Sequence, residues 1–375
     1  MKETNLKTSV AVIGGGLAGV YAARLLVGID IDFQLFEARK RLGGRILTTD
    51  ETNKPSDDGF DLGPSWYWPG MQPEMAALVE ELGLAAFPQT DEGDVVFERM
   101  SREGPRRYSG MPQEPQSMRL VGGTGSLIKA LSEKLPPARL HLETRLTHVI
   151  LRDSDVLLKM VGAGGSEREV KADRVIFAVP PRLLEETVSF SPELEPETKN
   201  LWRQTATWMA PHAKFFAVYE RAFWRDLGLS GTAQSMVGPL VEIHDATTRS
   251  GARALFGFLG VPADQRAKIG EESLTEACIK QLVRLFGPEA ARPRATLFKD
   301  WAADSYTATI DDLSGGAHPE AAQKLWAHGI WQDRIHLAGS ETSPIEPGYL
   351  AGAVHAAKRT VNIIKGKSSA DGERR

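Results

Sequence analysis

Cysteine is almost absent from this chain. Cys278 is the one thiol in 375 residues, so no disulfide can close within the chain and no thiolate metal cluster can assemble. The eight histidines, His212, His244 and His355 among them, show no H-x-x-x-H or comparable ligand spacing, which leaves a histidine-held metal without support. Long apolar runs are missing too. None approaches the roughly 18 residues that a membrane helix needs, and nothing ahead of Val10 has the apolar core of a secretory signal. A reducing, cytoplasmic setting without a membrane anchor is therefore expected. The net charge is only −4, and the basic run Arg39-Lys40-Arg41 with Arg45 is too short for a nucleic-acid surface. Ser340 stands in Gly339-Ser340-Glu341, not in a G-x-S-x-G elbow, so serine-hydrolase chemistry has no support either. What is present, 42% hydrophobic and 25% charged residues, is the composition of a globular protein.

The first elements are the most legible. Ser9–Ile13 is a β-branched apolar run ended by three glycines, Leu17–Val27 has a helical apolar face, and Asp32–Glu37 reads as a second strand. Strand, helix and strand within about thirty residues make the βαβ unit of a parallel sheet. Helices are expected at Glu74–Leu82, at Thr124–Leu135 with Thr124 as N-cap, and at Glu271–Phe286. Residues Phe87–Gln116 read as hairpins or loops. Strands are expected in Leu140–Val161, Arg174–Val179, Lys214–Tyr219, Ala254–Leu259 and Ile335–Ala338, before a last helix from about Gly348 to Ile364. Cys278 lies inside Glu271–Phe286 and reads as a packed core thiol.

Gly14-Gly15-Gly16-Leu17-Ala18-Gly19 fits G-x-G-x-x-G after a strand and at the opening of a helix, with Glu37 closing the next strand. Gly14 permits the tight turn, Gly16 lets the backbone approach a pyrophosphate, and Gly19 lets the helix pack on the strand. The helix N-terminus favours the anion, and Glu37 suits ribose hydroxyls. The run Glu37-Ala38-Arg39-Lys40-Arg41-Leu42-Gly43-Gly44-Arg45 resembles the signature of flavin amine oxidases and their relatives, in which Arg41 and Arg45 balance a diphosphate. Four later segments resemble the same family in order: Asp61-Leu62-Gly63-Pro64-Ser65-Trp66, Gly122–Leu127, Val175–Pro181 with Ala178, and Leu337–Thr342 with Gly348–Ala353.

The resemblance implies non-covalent FAD, because Ile310 stands where some members attach flavin through cysteine. By the family's pattern FAD is held by Gly14, Gly16, Leu17, Ala18, Gly19, Glu37, Ala38, Arg39, Gly44, Arg45, Gly63, Pro64, Ser65, Trp66, Leu146, Ala178, Gly339, Ser340, Glu341, Gly348, Tyr349, Leu350 and Ala353. Gly348, Gly352 and Ala353 would leave room for the isoalloxazine ring, unless helix packing alone explains these glycines. Lys214 matches the lysine that faces flavin N5 through a water. A bare edge-strand lysine reaching solvent is the alternative. Trp301 matches a tryptophan before the flavin, and Tyr349 one ring of the family's two-ring substrate cage. Asp311 stands where the second ring is expected, which leaves Trp66, Trp68 or Tyr306 as replacements.

These features imply an α/β fold: a discontinuous Rossmann-like FAD-binding domain of the glutathione-reductase type, with an inserted α+β substrate domain carrying a mixed sheet. The expected boundaries are 1–72, 117–204 and 304–375 for the FAD domain and 73–116 with 205–303 for the substrate domain. The implied reaction is oxidation of an amine to an imine by hydride transfer to flavin N5, with dioxygen reoxidising the flavin to give hydrogen peroxide. A desaturase or protoporphyrinogen-oxidase-like dehydrogenase and a non-catalytic FAD-containing module stay open as alternatives. The short section between Trp66 and Gly122 leaves the active site either more open than in large amine oxidases or closed by a second copy in a homodimer.

Overall fold

The structure, a computed structural model, describes residues 3–110, 112–313 and 318–372. The chain forms two compact units: Met1–Arg45 with Leu127–Trp208 and Gly316–Arg375, and Ile46–Ser126 with Met209–Gly315. Residues 46–72, 117–126 and 304–313, expected with the nucleotide-binding part, fall in the second unit by compactness, and 205–208, expected with the substrate part, fall in the first.

The first unit is built on an eight-stranded sheet. Its order is Ser189–Ser191, Arg145–Leu151, Val156–Val161, Glu167–Phe177, Glu3–Ile13, Phe33–Phe36 and Leu140–His141, with Ile335–Leu337 added to the far end of Glu167–Phe177. Glu3–Ile13 runs parallel to both of its neighbours. A strand covered on both faces needs an unbroken apolar run, and Val10, Ala11 and Val12 are buried. The sequence signal began at Ser9. The strand itself begins at Glu3, because Leu6 to Thr8 pair with Val170 to Ala172 despite their polar pattern. Trp202, Trp331, Phe177 and Leu337 fill the core beneath this sheet. The helix Leu17–Gly28 packs against the last helix, Leu350–Gly372, which starts two residues later than expected and runs further.

The turn between strand and helix depends on two glycines. Gly14 has φ +104°, a conformation that side chains resist. A Cβ on Gly19 would sit 1.9 Å from the Gly14 carbonyl oxygen, so the helix can approach the turn only with glycine there.

The second unit carries a seven-stranded sheet in the order Ala295–Asp300, Ala213–Tyr219, Arg253–Leu259, Leu240–Asp245, Leu229–Ser235, Asp94–Glu98 and Arg106–Tyr108. The last two are a hairpin inside the section read as hairpins or loops. One face packs on the helix Glu271–Phe286 through Phe215, Ala217, Ile243, Leu274, Cys278 and Leu282. That helix presents Leu274, Cys278, Leu282 and Leu285 at helical spacing. Its buried Gln281 clasps the backbone N–H and carbonyl of Leu240 at 2.8 and 2.7 Å, which fixes the strand against the helix. Burial pushes the Cys278 thiol up to about 12, in keeping with a packing role. Registered pairing puts Lys214, Phe258 and Glu242 in one row of the opposite face and Phe216, Phe256 and His244 in the next. Phe60 and Leu62 cover part of that face.

Gly19→Ala should destabilise the first unit by about 1–3 kcal/mol, the usual cost of overpacking. Gly28→Ala, where an added Cβ meets nothing within 4 Å, should be neutral or slightly stabilising. Denaturant melts of the two variants check the difference; equal stabilities would contradict it.

Candidate functional site

In the first unit the expected phosphate-binding elements come together through backbone alone. Gly43 N donates to the Gly15 carbonyl at 2.7 Å, and Gly16 bridges Gly43. A Cβ on Gly44 would lie 3.2 Å from Gly16 Cα, so two glycine segments touch where side chains would hold them apart. Leu17 and Ala18 are buried at the first turn of the helix Leu17–Gly28. An added Cβ on Gly16 meets only ordinary contacts, at 3.8 Å or more, so its side of the turn is open. Glu37 is buried. Its carboxylate accepts from the N–H groups of Gly15 at 2.6 Å and Arg39 at 2.8 Å. The Glu37 and Arg39 carbonyls accept from Thr144 and Glu143, so the stretch holding half-buried Ala38 pairs with the residues that lead into Arg145–Leu151, where Leu146 lies. Ala178 N donates to Ile13, behind the glycine turn. An open glycine cradle at a helix N-terminus, with a buried acid at the next strand end, fits a dinucleotide diphosphate and ribose.

A second cluster in the same unit gathers Arg45, Ser340, Glu341 and Tyr349. The Arg45 guanidinium lies 2.5 Å from the fully buried Glu341 carboxylate, donates to Ser340 Oγ at 3.1 Å and reaches the Trp208 carbonyl at 3.4 Å. Arg45 therefore holds the Gly339–Thr342 turn, a role the sequence did not suggest. Arg41 bonds the carbonyls of Leu42 and Gly44. The glycines before and in the last helix are closely packed: a Cβ on Gly352 would lie 2.2 Å from the Glu346 carbonyl, and one on Gly348 would lie 3.0 Å from the Trp208 ring. Close packing explains these glycines. Leu350 and Ala353 are buried in the first turn that follows, with Ala353 N bonded to the Tyr349 carbonyl.

Within this unit one aromatic ring packs directly beside Tyr349. It is Trp208, at 4.5 Å between centroids and tilted by 55°, with His318 at 5.3 Å. Tyr306 is exposed, and Trp66 packs on His244, Phe256 and Phe258. Trp208, six residues ahead of Lys214, is an aromatic that the sequence reading passed over. Burial, with Glu346 adding to it, raises the Tyr349 phenol above its ordinary value.

The second unit holds Lys214, Trp301 and the loop Asp61–Trp66. Lys214 lies on the interior strand Ala213–Tyr219 and is 4% exposed, which overturns the edge-strand alternative. Its ammonium nitrogen is 3.2 Å from the Asp61 carbonyl, 2.6 Å from the Gly63 carbonyl and 2.8 Å from Ser65 Oγ. The Trp301 indole N–H donates to the Leu62 carbonyl at 2.9 Å, and the Thr124 hydroxyl reaches the Pro64 carbonyl at 3.0 Å. Four consecutive carbonyls, 61 to 64, are thus each satisfied by a side chain from elsewhere in the unit. Thr124 also donates to the Asp61 carboxylate from both its N–H and its hydroxyl. Thr124 directly precedes the helix Gly125–Ser132, at the N-cap position expected for it, and its hydroxyl serves the loop. The Trp66 indole is tied to Gln89 at 2.8 Å.

Lys214 sits in an aromatic box, with its nitrogen 4.7 Å from the Phe256 centroid, 5.1 Å from Phe258 and 6.0 Å from Trp66. Burial nonetheless pulls it down to about 7. The Asp61 charge opposes this, and Arg119 adds repulsion. Asp61 itself is pushed up by burial, against bonds from Thr48 and Thr124. A lysine able to be either ammonium or amine near neutral pH is suited to moving a proton or tuning charge beside a redox group.

Comparisons with known proteins agree with this geometry. The flavin containing amine oxidoreductase family matches residues 105–365, and an NAD(P)-binding Rossmann-like domain matches residues 12–82. A probable flavin-containing monoamine oxidase A of Dictyostelium discoideum is 23% identical, over 96% of this chain and 97% of that protein. Putrescine oxidase of Kocuria rosea is 25% identical, over 100% and 98%. Among solved structures, a wild-type putrescine oxidase bound to putrescine superposes with a TM-score of 0.80 at 22% identity, covering 97% of this chain and 100% of that one. Cyclohexylamine oxidase from Brevibacterium oxydans IH-35A gives 0.79 at 19%, covering 96% and 99%. The chain has the α/β fold of FAD-dependent oxidoreductases. It belongs to the flavin containing amine oxidoreductase family. Among the described residues no helix is long and apolar enough to cross a membrane.

The lowered value of Lys214 has a consequence for stability. Between pH 7 and the unfolded value of 10.5 the unfolded chain binds the proton that the folded chain has released. Stability therefore rises with pH across that window, and the cost of the buried cation is fully present below it. Lys214→Met removes this dependence. Wild type should gain stability relative to the variant from pH 6 to pH 10 in denaturant titrations, and a constant difference would contradict the assignment.

Proposed function

We propose that the first unit is the FAD-binding part and the second the substrate part of an oxidase acting on a neutral primary or secondary amine. The observation that carries this reading is Lys214, a buried lysine able to lose its proton near neutral pH, fixed to the loop that includes Ser65 and Trp66. Gly14, Gly16 and Gly19 with the helix N-terminus take the FAD diphosphate, and Glu37 takes the ribose. Leu146 reaches the adenine through its backbone. Gly44, Arg45, Ser340 and Glu341 would also hold the FAD. Held there, FAD would supply a two-electron acceptor for the hydride of the amine α-carbon, with dioxygen as the oxidant that yields hydrogen peroxide.

The chain's own residues contribute position and charge. Lys214 acts on the N5 side, holding or releasing a proton at Nζ. Trp301, anchored through its N–H to Leu62, presents a fixed ring, with the Lys299 ammonium 4.4 Å from its centroid. Tyr349, braced by Trp208, bounds the substrate face and keeps the amine's apolar body out of water. A non-covalent cofactor, a cytoplasmic setting and a homodimer belong to the same proposal. The single cysteine and the isoleucine at position 310 support the first two.

Relatives named for putrescine and monoamines make a panel of diamines, polyamines, arylalkylamines and amino acids the natural screen. At least one amine should yield peroxide in proportion to imine. Glu37→Ala should weaken FAD binding about tenfold or more, as expected for loss of charged hydrogen bonds. Lys214→Met should slow oxidation or flavin reoxidation while FAD stays bound, and Lys214→Gln, which keeps donors for the loop, separates chemistry from loop integrity. Unchanged steady-state and reoxidation rates in both lysine variants would remove Lys214 from the reaction.

A further inference from the structure

The three polar partners of Lys214 are not equivalent. The carbonyls of Asp61 and Gly63 can only accept, while the Ser65 hydroxyl can accept or donate. As an ammonium, Lys214 donates to all three. As an amine it keeps two donors for the carbonyls and offers its lone pair to the Ser65 hydroxyl hydrogen. The same heavy-atom positions satisfy both states, and only the Ser65 proton turns. Among the described residues the Ser65 hydroxyl makes no other hydrogen bond.

Among the described residues no other titratable group bonds to Nζ. The Asp61 carboxylate is engaged with Thr48 and Thr124. Arg119 donates to the carbonyls of Ala246 and Thr247. On the strands flanking Lys214, Lys299 pairs with Asp304, and Glu242 pairs with His244 beyond Phe258. The rings of Trp66, Phe256 and Phe258 carry no transferable proton. Lys214 and Ser65 are both buried, at 4% and 6% exposed, so the pair is shielded from bulk water together.

We infer that Ser65 is the positioning residue through which Lys214 gains and loses its proton. In release, a Lys214 N–H bond breaks and its proton forms a new O–H bond on Ser65. The original Ser65 proton leaves to a water molecule, and the new one then points back at the Lys214 lone pair. One proton reaches solvent, the serine is unchanged, and no electrons are transferred. Uptake is the reverse. The relevance of this path to turnover rests on the role given to Lys214 above; the path itself does not.

Ser65→Ala removes an acceptor from the cation and a donor from the amine. Bonds to a charged group are the stronger of the two, so the cation loses more. The test uses the FAD-loaded protein with isotope-labelled lysine, the Lys214 resonance being assigned by its loss in Lys214→Met. In Ser65→Ala, Lys214 should titrate about one pH unit lower than in wild type, a tenfold change, and Ser65→Thr, which restores a hydroxyl, should return it. An unmoved titration in Ser65→Ala, or no recovery in Ser65→Thr, overturns the inference. A titration that moves as expected, while the pH profile of amine oxidation does not follow it, keeps the coupling of Ser65 to the Lys214 proton and removes Lys214 from the reaction.

Discussion

Much of the second unit turns on one buried cation meeting a row of backbone oxygens. Taking an ammonium out of water is expensive unless it is fully hydrogen-bonded. Lys214 meets that condition with two carbonyls and a hydroxyl of the Asp61–Ser65 stretch. The same bonds relieve the loop, whose carbonyls would otherwise be buried without partners. Trp301 and Thr124 complete the row at Leu62 and Pro64. A loop of glycine and proline, with little regular structure of its own, is thereby held as firmly as a strand.

The arrangement costs proton affinity. Burial brings Lys214 to about 7 even with the aromatic faces of Phe256, Phe258 and Trp66 beside it. A structural clamp and a group poised to titrate are thus one side chain. The first unit shows the complementary economy: Arg45 and Glu341 are spent on each other, and they fix the Gly339–Thr342 turn before the last helix.

The nucleotide-binding half was legible because its constraints are local. Gly14 needs a positive φ, Gly19 lies against the Gly14 carbonyl, and Glu37 closes a strand, so each leaves a mark on neighbouring residues. Lys214 stood out for a similar reason, as a charge in an apolar strand. The carbonyl row did not, since its donors lie 60 to 239 positions away in sequence from their acceptors. Trp208 was passed over because its packing on Tyr349 and Gly348 comes from chain segments distant in sequence. The strands Leu229–Ser235 and Leu240–Asp245 were missed as well. The first is rich in small polar residues, and the second is sheltered by the Gln281 clasp, a long-range contact. The glycines at the last helix were legible as unusual, while their packing on Glu346 and Trp208 is displayed only by the fold.

The most direct test of the central claim is anaerobic mixing of the FAD-loaded protein with amines while the flavin absorbance is followed. Bleaching of the oxidised flavin by at least one amine, with a rate that rises as pH passes through about 7 and loses that dependence in Lys214→Met, is the result predicted from the buried lysine. A flavin that stays oxidised with every amine, or a pH dependence that survives the substitution, would contradict the account.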